Sequence, residues 1–385
     1  MIKPLTSLRF FFALMIFLMH SFYEVSEETF IGNQASIEKM FNSFFKYGHV
    51  GVTFFFVLSG FILAYNYQDR LLEKKVSIFD FYVYRIARIY PLHLFLLGTV
   101  VLTNFGGVFG DFSIKKGLIF ISKLTLTQSF IPSHKFYFSY AGITWSISCE
   151  MFFYFMLPFL VWLFFYKIKR KKIRYTFLFI TCLYVIIVGE LLQGVWKFNF
   201  LYANPLIRVV DFLIGIFLFN IYRELKVNKD LNRYNFTILE IVSVGLFFVF
   251  VYFQDSIPSQ YHYAIFYWIP ISFIILIFSF QKGFLSKILS HSILIFLGEI
   301  SFSFYMLHYS VIGMVIPLSK KMGITNGYLI ILIIFFIAIF VSYLGYKLIE
   351  MPCNRYLRKA AKKENKFIDA IRYKLDFYWN KILLK

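Results

Sequence analysis

Ten stretches of this chain are apolar over about the length that a helix needs to cross lipid hydrocarbon. They run from Leu5 to Tyr23, Val50 to Tyr67, Ile89 to Phe105, Thr144 to Tyr166, Tyr175 to Gln193, Pro205 to Tyr222, Thr237 to Phe253, Tyr263 to Phe280, Leu294 to Ile316 and Tyr328 to Ile349. Of the 385 residues 59% are hydrophobic and only 16% charged, which excludes an ordinary soluble globule. The expected fold class is all-α: a polytopic integral membrane protein with ten transmembrane helices.

Charge placement gives the expected orientation, because Lys and Arg collect on the cytoplasmic side of membrane proteins. With the N-terminus inside, cytoplasmic segments hold about 29 of the 40 basic residues and external loops about nine. The block Lys167, Lys169, Arg170, Lys171, Lys172 and Arg174 is the densest of these segments. Both termini are therefore expected in the cytoplasm. The net charge of +20 does not point to nucleic acid, because it is concentrated at the inner membrane surface, where anionic lipid is the simpler partner.

Two ionisable residues break the first span. Arg9 and His20 are separated by apolar residues, and their spacing comes within about 20° of three full helical turns, which puts them on one helix face about 16 Å apart. An ionisable residue inside a span costs about 2.5–3.5 kcal/mol on insertion scales and so faces a partner or a watery cavity. Two on one face suggest a lined internal passage. The span also lacks a small-residue cleavage site, so it reads as a retained helix rather than a signal peptide.

No linker rich in Pro, Gly or Ser divides the chain, and no internal repeat is evident. Residues 1–352 read as one transmembrane domain and 353–385 as a cytoplasmic basic and aromatic tail. From Asn354 onward the tail mixes Lys and Arg with Tyr356, Phe367, Tyr373, Phe377, Tyr378 and Trp379, the pattern of a helix lying at the membrane interface, or of a solvated charged tail. Two external segments are long: Glu24 to His49, acidic at Glu24, Glu27, Glu28 and Glu38, and Gly106 to Ile143. In the second, Leu118, Ile121, Leu124 and Leu126 recur at helical spacing, as in a surface helix on the outer leaflet. Cys149, Cys182 and Cys353 fall at different depths, so no disulfide is expected.

Further polar residues carry candidate chemistry. Arg85 and Arg88, at the inner start of the third span, stand three residues apart on one helical face and can clamp phosphates through bidentate hydrogen bonds. Ordinary cytoplasmic anchoring is the alternative. Taken with a passage, the clamp suggests a nucleotide-like donor such as coenzyme A. Glu150, at the outer end of the fourth span, can orient a histidine or move protons; the competing role is a capping acid in the first helical turn with Ser146 as N-cap. Cys149 has no basic neighbour to activate it as a nucleophile. His308, in the outer half of the ninth span, and Glu299, deeper in it, are candidates for the site or for interhelical hydrogen bonds. His49, His93, Glu190, Arg208 and Asp211 lie near span ends and rank lower as site candidates, because end positions can reach the interface by snorkelling.

These residues carry a resemblance. The chain resembles the acyltransferase 3 family of membrane enzymes through motifs in one order along nearly its whole length. They are Leu8-Arg9 through His20, Phe54-Phe55-Phe56-Val57-Leu58-Ser59-Gly60-Phe61, Arg85-Ile86-Ala87-Arg88-Ile89-Tyr90-Pro91, Trp145-Ser146 with Glu150 and Phe153-Tyr154, Ser303-Phe304-Tyr305 with His308, and Ile349-Glu350 with Pro352 and Arg355. Ile147, Cys149 and Met151 loosen the tryptophan-serine motif, which keeps its Glu.

The resemblance implies transfer of an acyl group, usually acetyl from cytoplasmic acetyl-CoA, to a hydroxyl of a cell-surface carbohydrate or other glycoconjugate across the inner or plasma membrane of a bacterium. The family's Arg and His map to Arg9 and His20, its paired arginines to Arg85 and Arg88, and its acidic residue to Glu150. Some relatives carry an extracytoplasmic hydrolase-like domain, and its absence here implies a stand-alone enzyme or a separate extracytoplasmic partner. Acyl-CoA is a co-substrate, so no permanently bound cofactor and no metal are expected. In the mechanism expected from both lines, Arg85 and Arg88 hold the donor phosphates and the pantetheine arm passes Arg9. His20, oriented by Glu150, takes the proton of the acceptor hydroxyl. Tyr305, His308 and Trp145 are candidates for substrate positioning and oxyanion stabilisation. A transporter or channel without covalent chemistry is the alternative, and it leaves the arginine pair without a clear duty.

Overall fold

The computed structural model describes residues 1–29, 45–103, 110, 113–227, 235–363 and 366–384, without the side chains of 26–29, 367, 383 and 384. Glu38 and most of 104–112 lie outside the described residues, and so do the side chains of Glu27, Glu28 and Phe367. The main helices are α1 (Lys3–Thr29), α2 (Val50–Leu72), α3 (Ile78–Thr103), α4 (Ile114–Leu124), α5 (Trp145–Val161), α6 (Lys171–Leu191), α7 (Pro205–Val227), α8 (Phe236–Phe253), α9 (Trp268–Ser279), α10 (Ser292–Lys321), α11 (Gly327–Gly345), α12 (Met351–Lys362) and α13 (Lys366–Leu384). Among the described residues there is no β-strand. The chain is an all-α polytopic membrane protein.

Nine helical segments among the described residues are long and apolar enough to cross a membrane. The window Tyr263 to Phe280 is the exception among the ten, because its apolar helix covers only Ile265–Ser279. At 1.5 Å per residue that is about 22 Å, short of the ~30 Å of hydrocarbon. Ala264, at φ −158° and ψ −55°, is non-helical, and the chain enters this short helix through a 3₁₀ turn over Ile265–Tyr267.

The helices form two compact units. The first comprises Met1–Val57 and Asn220–Tyr346. Its core joins Phe10, Ala13 and Phe17 of α1 to Phe304, Val311 and Ile312 of α10 and to Ile330 and Ile334 of α11. Phe17 and Phe304 meet with ring centroids 5.3 Å apart. Close approach of α1 and α10 depends on Gly298, where a Cβ would strike the Thr6 carbonyl. Small residues at such seams let helix backbones pack in direct contact. The buried Glu240 accepts hydrogen bonds from the Gly283 and Ser286 amides, at 3.0 and 3.2 Å, and from the Ser286 hydroxyl. Its charge is thereby shared over three donors.

The second unit comprises Leu58–Phe219 and Lys347–Lys385. Gly60, from the second-span motif, sits where a Cβ would meet the Phe212 carbonyl, so only glycine fits between α2 and α7 there. The tail packs on α3. Asp376 of α13 accepts from the Ile78 amide at 2.9 Å and the Ser77 hydroxyl at 3.0 Å, satisfying donors at the start of α3 from a distant part of the chain. Arg372 bridges Asp369 at 2.7 Å and Asp80 at 3.4 Å. Trp379 is buried edge-on to Phe159, while Tyr356, Tyr373, Phe377 and Tyr378 are exposed, as an interfacial helix would present them. On α4, Leu118, Ile121 and Leu124 are exposed, which also suits a helix whose apolar face meets lipid.

Behind that face Lys123 is fully buried, and its Nζ donates to the Tyr137 carbonyl at 2.6 Å. The Lys123 carbonyl accepts from His93 Nε2 at 2.9 Å. Burial pushes the Lys123 ammonium from 10.5 down to about 7. Because the unfolded chain then binds more protons, stability rises with pH between about 7 and 10.5 through this group, and that gain is absent at lower pH. Lys123→Met is expected to flatten this rise in thermal melts of the detergent-solubilised protein. An unchanged slope would mean that the ammonium is not desolvated.

Candidate functional site

The seam between α1 and α10 brings two histidines together. His20, half-buried, and His308, fully buried, face each other with Nδ1 of His20 2.9 Å from Nε2 of His308. Their rings are nearly parallel, 7° apart, with centroids separated by 5.2 Å. Phe17, Phe304 and Tyr305 surround the His308 ring with centroids at 6.2, 6.2 and 5.9 Å.

The hydrogen bonds fix how protons are placed. His308 Nδ1 faces the Tyr305 carbonyl at 2.7 Å and the Phe304 carbonyl at 3.2 Å, and carbonyl oxygens only accept. Nδ1 of His308 therefore carries the hydrogen. For two neutral rings its Nε2 is then a bare acceptor, His20 donates from Nδ1, and His20 Nε2 is left with a free lone pair. A neutral imidazole with Nδ1–H committed and Nε2 open is the form that a general base needs. Arg9 lies half-buried on the same helix, and His49 is within electrostatic reach of His20.

A second cluster lies in the other unit. On α3, Arg85 donates from Nη2 to the Tyr67 hydroxyl at 3.1 Å, and its guanidinium lies 5.1 Å from the Tyr67 ring centre and 5.7 Å from that of Tyr154. The Tyr154 hydroxyl donates to Glu150 at 3.2 Å, within electrostatic reach of both arginines. Arg88 pairs with Glu350, whose carboxylate is 1% exposed. Glu350 ends a π-helical turn, Tyr346–Glu350, between α11 and α12. Such turns re-aim side chains that a regular helix would send elsewhere.

Several expectations are redrawn by these partners. His20 Nδ1 pairs with an imidazole where a carboxylate was expected, and Glu150 hydrogen-bonds Tyr154 beside Arg85. Glu150 is not a capping acid: α5 starts at Trp145, its first turn holds no acidic residue, and the Ser146 hydroxyl donates to the Ile143 carbonyl at 3.2 Å. His308 does stand at His20 and Tyr305 packs against His308, whereas Trp145 is buried against Tyr202 with centroids 4.5 Å apart. The Cys149 thiol is buried and directed at the Ala203 carbonyl, 3.4 Å away. Of the residues near span ends, where snorkelling is possible, His93 is buried on the Lys123 carbonyl, and Arg208 and Asp211 are buried and paired at 2.8 Å, their i, i+3 spacing on α7 letting each neutralise the other. The roles of Tyr67, Tyr154 and Glu350 were not foreseen, although Tyr154 and Glu350 belong to quoted motifs.

Comparisons with known proteins agree with the motif order. Acyltransferase MdmB of Streptomyces mycarofaciens is 26% identical over 391 residues, covering 92% of this chain and 92% of that protein. O-acetyltransferase OatA of Staphylococcus aureus (strain MRSA252) is 27% identical over 345 residues, covering 84% of this chain but 56% of OatA. No solved structure matches. The profile of the acyltransferase domain matches residues 4–347, and on that span the chain belongs to the acyltransferase 3 family of membrane acyltransferases.

Proposed function

We propose that this protein transfers an acyl group, acetyl in the simplest case, from cytoplasmic acyl-CoA to a hydroxyl of an extracytoplasmic carbohydrate or glycoconjugate. The observation that carries the reading is the His20–His308 pair, which leaves His20 Nε2 as an open base inside a transmembrane unit. His20 Nε2 takes the proton of the acceptor hydroxyl as its oxygen bonds to the thioester carbonyl carbon. The carbon–sulfur bond then breaks, and the departing thiolate takes a proton. His308 accepts the hydrogen bond from Nδ1 throughout and stabilises the imidazolium that forms on His20.

Arg85 fits a donor phosphate. Among the described residues its Nε makes no hydrogen bond and its Nη2 has only a phenol partner, so charge-assisted donors are in hand for an anion. Arg88, held by Glu350, adds positive potential and fixes the face of α3 that carries the pair. Arg9 offers a further cation in the unit that holds His20. The acetylation named for OatA and the acyl transfer named for MdmB support the reaction class. Surface polysaccharide from wild-type and deletion cells, assayed for base-labile esters, tests the proposal. Esters should vanish on deletion and return with the wild-type gene but not with His20→Ala. An ester content that does not depend on the gene overturns it.

A further inference from the structure

One helical turn past His20 on α1 stands Glu24, and next to His308 on α10 stands Tyr309. The Tyr309 hydroxyl donates to Glu24 Oε1 at 2.8 Å. The Tyr309 ring stands edge-on to the His20 imidazole, with centroids 5.4 Å apart and planes at 82°. The seam thus carries two polar layers, the half-buried His20 with the buried His308 and, one turn farther along α1, an accessible carboxylate and phenol. Tyr309 is 41% exposed and the neighbouring Tyr23 is 64% exposed, so the outer layer is accessible beside the half-buried His20.

The chemistry of that layer is selective. Glu24 spends one lone pair on Tyr309 and keeps the rest, and the phenol oxygen keeps its own acceptor capacity. Two acceptors beside exposed aromatic rings suit a ligand with several hydroxyl donors and apolar C–H faces, and they repel a second carboxylate. A simple alcohol has only one hydroxyl, and that one is needed at His20.

We propose that Glu24 and Tyr309 form the acceptor subsite, recognising a neutral polyhydroxylated ring by accepting hydrogen bonds from a hydroxyl neighbouring the one that His20 deprotonates. The inference rests on His20 as the base. It assigns a preference for neutral sugars over uronic acids and monohydric alcohols, and it makes Glu24 and Tyr309 specificity residues.

The test uses the full-length protein in proteoliposomes with acetyl-CoA as donor and three acceptor classes: neutral methyl hexosides, methyl hexuronides and butan-1-ol. Wild type should favour the neutral hexosides. Glu24→Gln and Tyr309→Phe should each raise KM for the hexosides about tenfold, in line with loss of one hydrogen bond to a charged group, with kcat little changed. Butan-1-ol transfer should be unaffected, and Glu24→Gln should narrow the preference for hexosides over hexuronides. Equal effects on hexosides and butan-1-ol, no effect on either, or a wild type without the preference would overturn the subsite. His20→Ala separates the two readings: it should lower transfer to every acceptor by about 10²-fold or more, and if it does not, the base assignment fails rather than the subsite alone.

Discussion

His20→Ala is expected to lower acyl transfer by about 10²–10⁴-fold at unchanged membrane abundance, the usual contribution of a positioned general base. The prediction follows from proton placement. The Tyr305 and Phe304 carbonyls hold the hydrogen of His308 on Nδ1, and His308 in turn holds that of His20 on Nδ1. Only Nε2 of His20 is then basic. His308→Leu removes the acceptor and allows the wrong tautomer of His20, so it should cost activity as well, though less than loss of the base. His308→Gln should fall between His308→Leu and wild type, because its amide oxygen can accept from His20. Rates from purified variants at matched abundance check this order. Activity retained in His20→Ala would remove His20 from the chemistry.

The second large effect is on stability. Glu350→Ala should destabilise the protein by about 3 kcal/mol, because it removes the buried carboxylate that pairs with Arg88. The estimate is at the low end for a broken buried pair, since Arg88 is 26% exposed and water recovers part of the loss. Glu350→Gln should cost less, as the amide oxygen still accepts a hydrogen bond. Replacing both partners by methionine should restore most of the stability while leaving donor binding impaired, because both buried charges of the pair would be gone together. Thermal unfolding in detergent, alongside the KM for acyl-CoA, reads both effects. A Glu350→Ala protein as stable as wild type would show that the pair holds nothing in place.

The membrane-spanning character was legible because each apolar run is a local property of the sequence. The shortened window was not, because Tyr263–Phe280 is apolar enough throughout and the helix begins only after the non-helical backbone at Ala264. The spacing of Arg9 and His20 placed both on α1, but it held no information about the distant residue on α10 that His20 meets. His308 was visible as a candidate; that its own backbone carbonyls would fix its tautomer was not. Glu350 carries no sequence signal for its ion pair with Arg88, because a regular helical pattern through 346–350 gives no hint of the π turn that precedes α12. The burial of Arg208 and Asp211 is not legible from their positions, because residues near span ends can snorkel, and here each buried charge is neutralised by a neighbour one turn away.

Sealed inside-out vesicles containing the wild-type protein, with a neutral glycan trapped in the lumen and acetyl-labelled acetyl-CoA added outside, test the central claim most directly. Label should appear as a base-labile ester on the trapped glycan with the wild-type protein and not with His20→Ala. Label that stays on coenzyme A or enters the lumen without bonding to the glycan, or transfer that survives the loss of His20, would contradict the account.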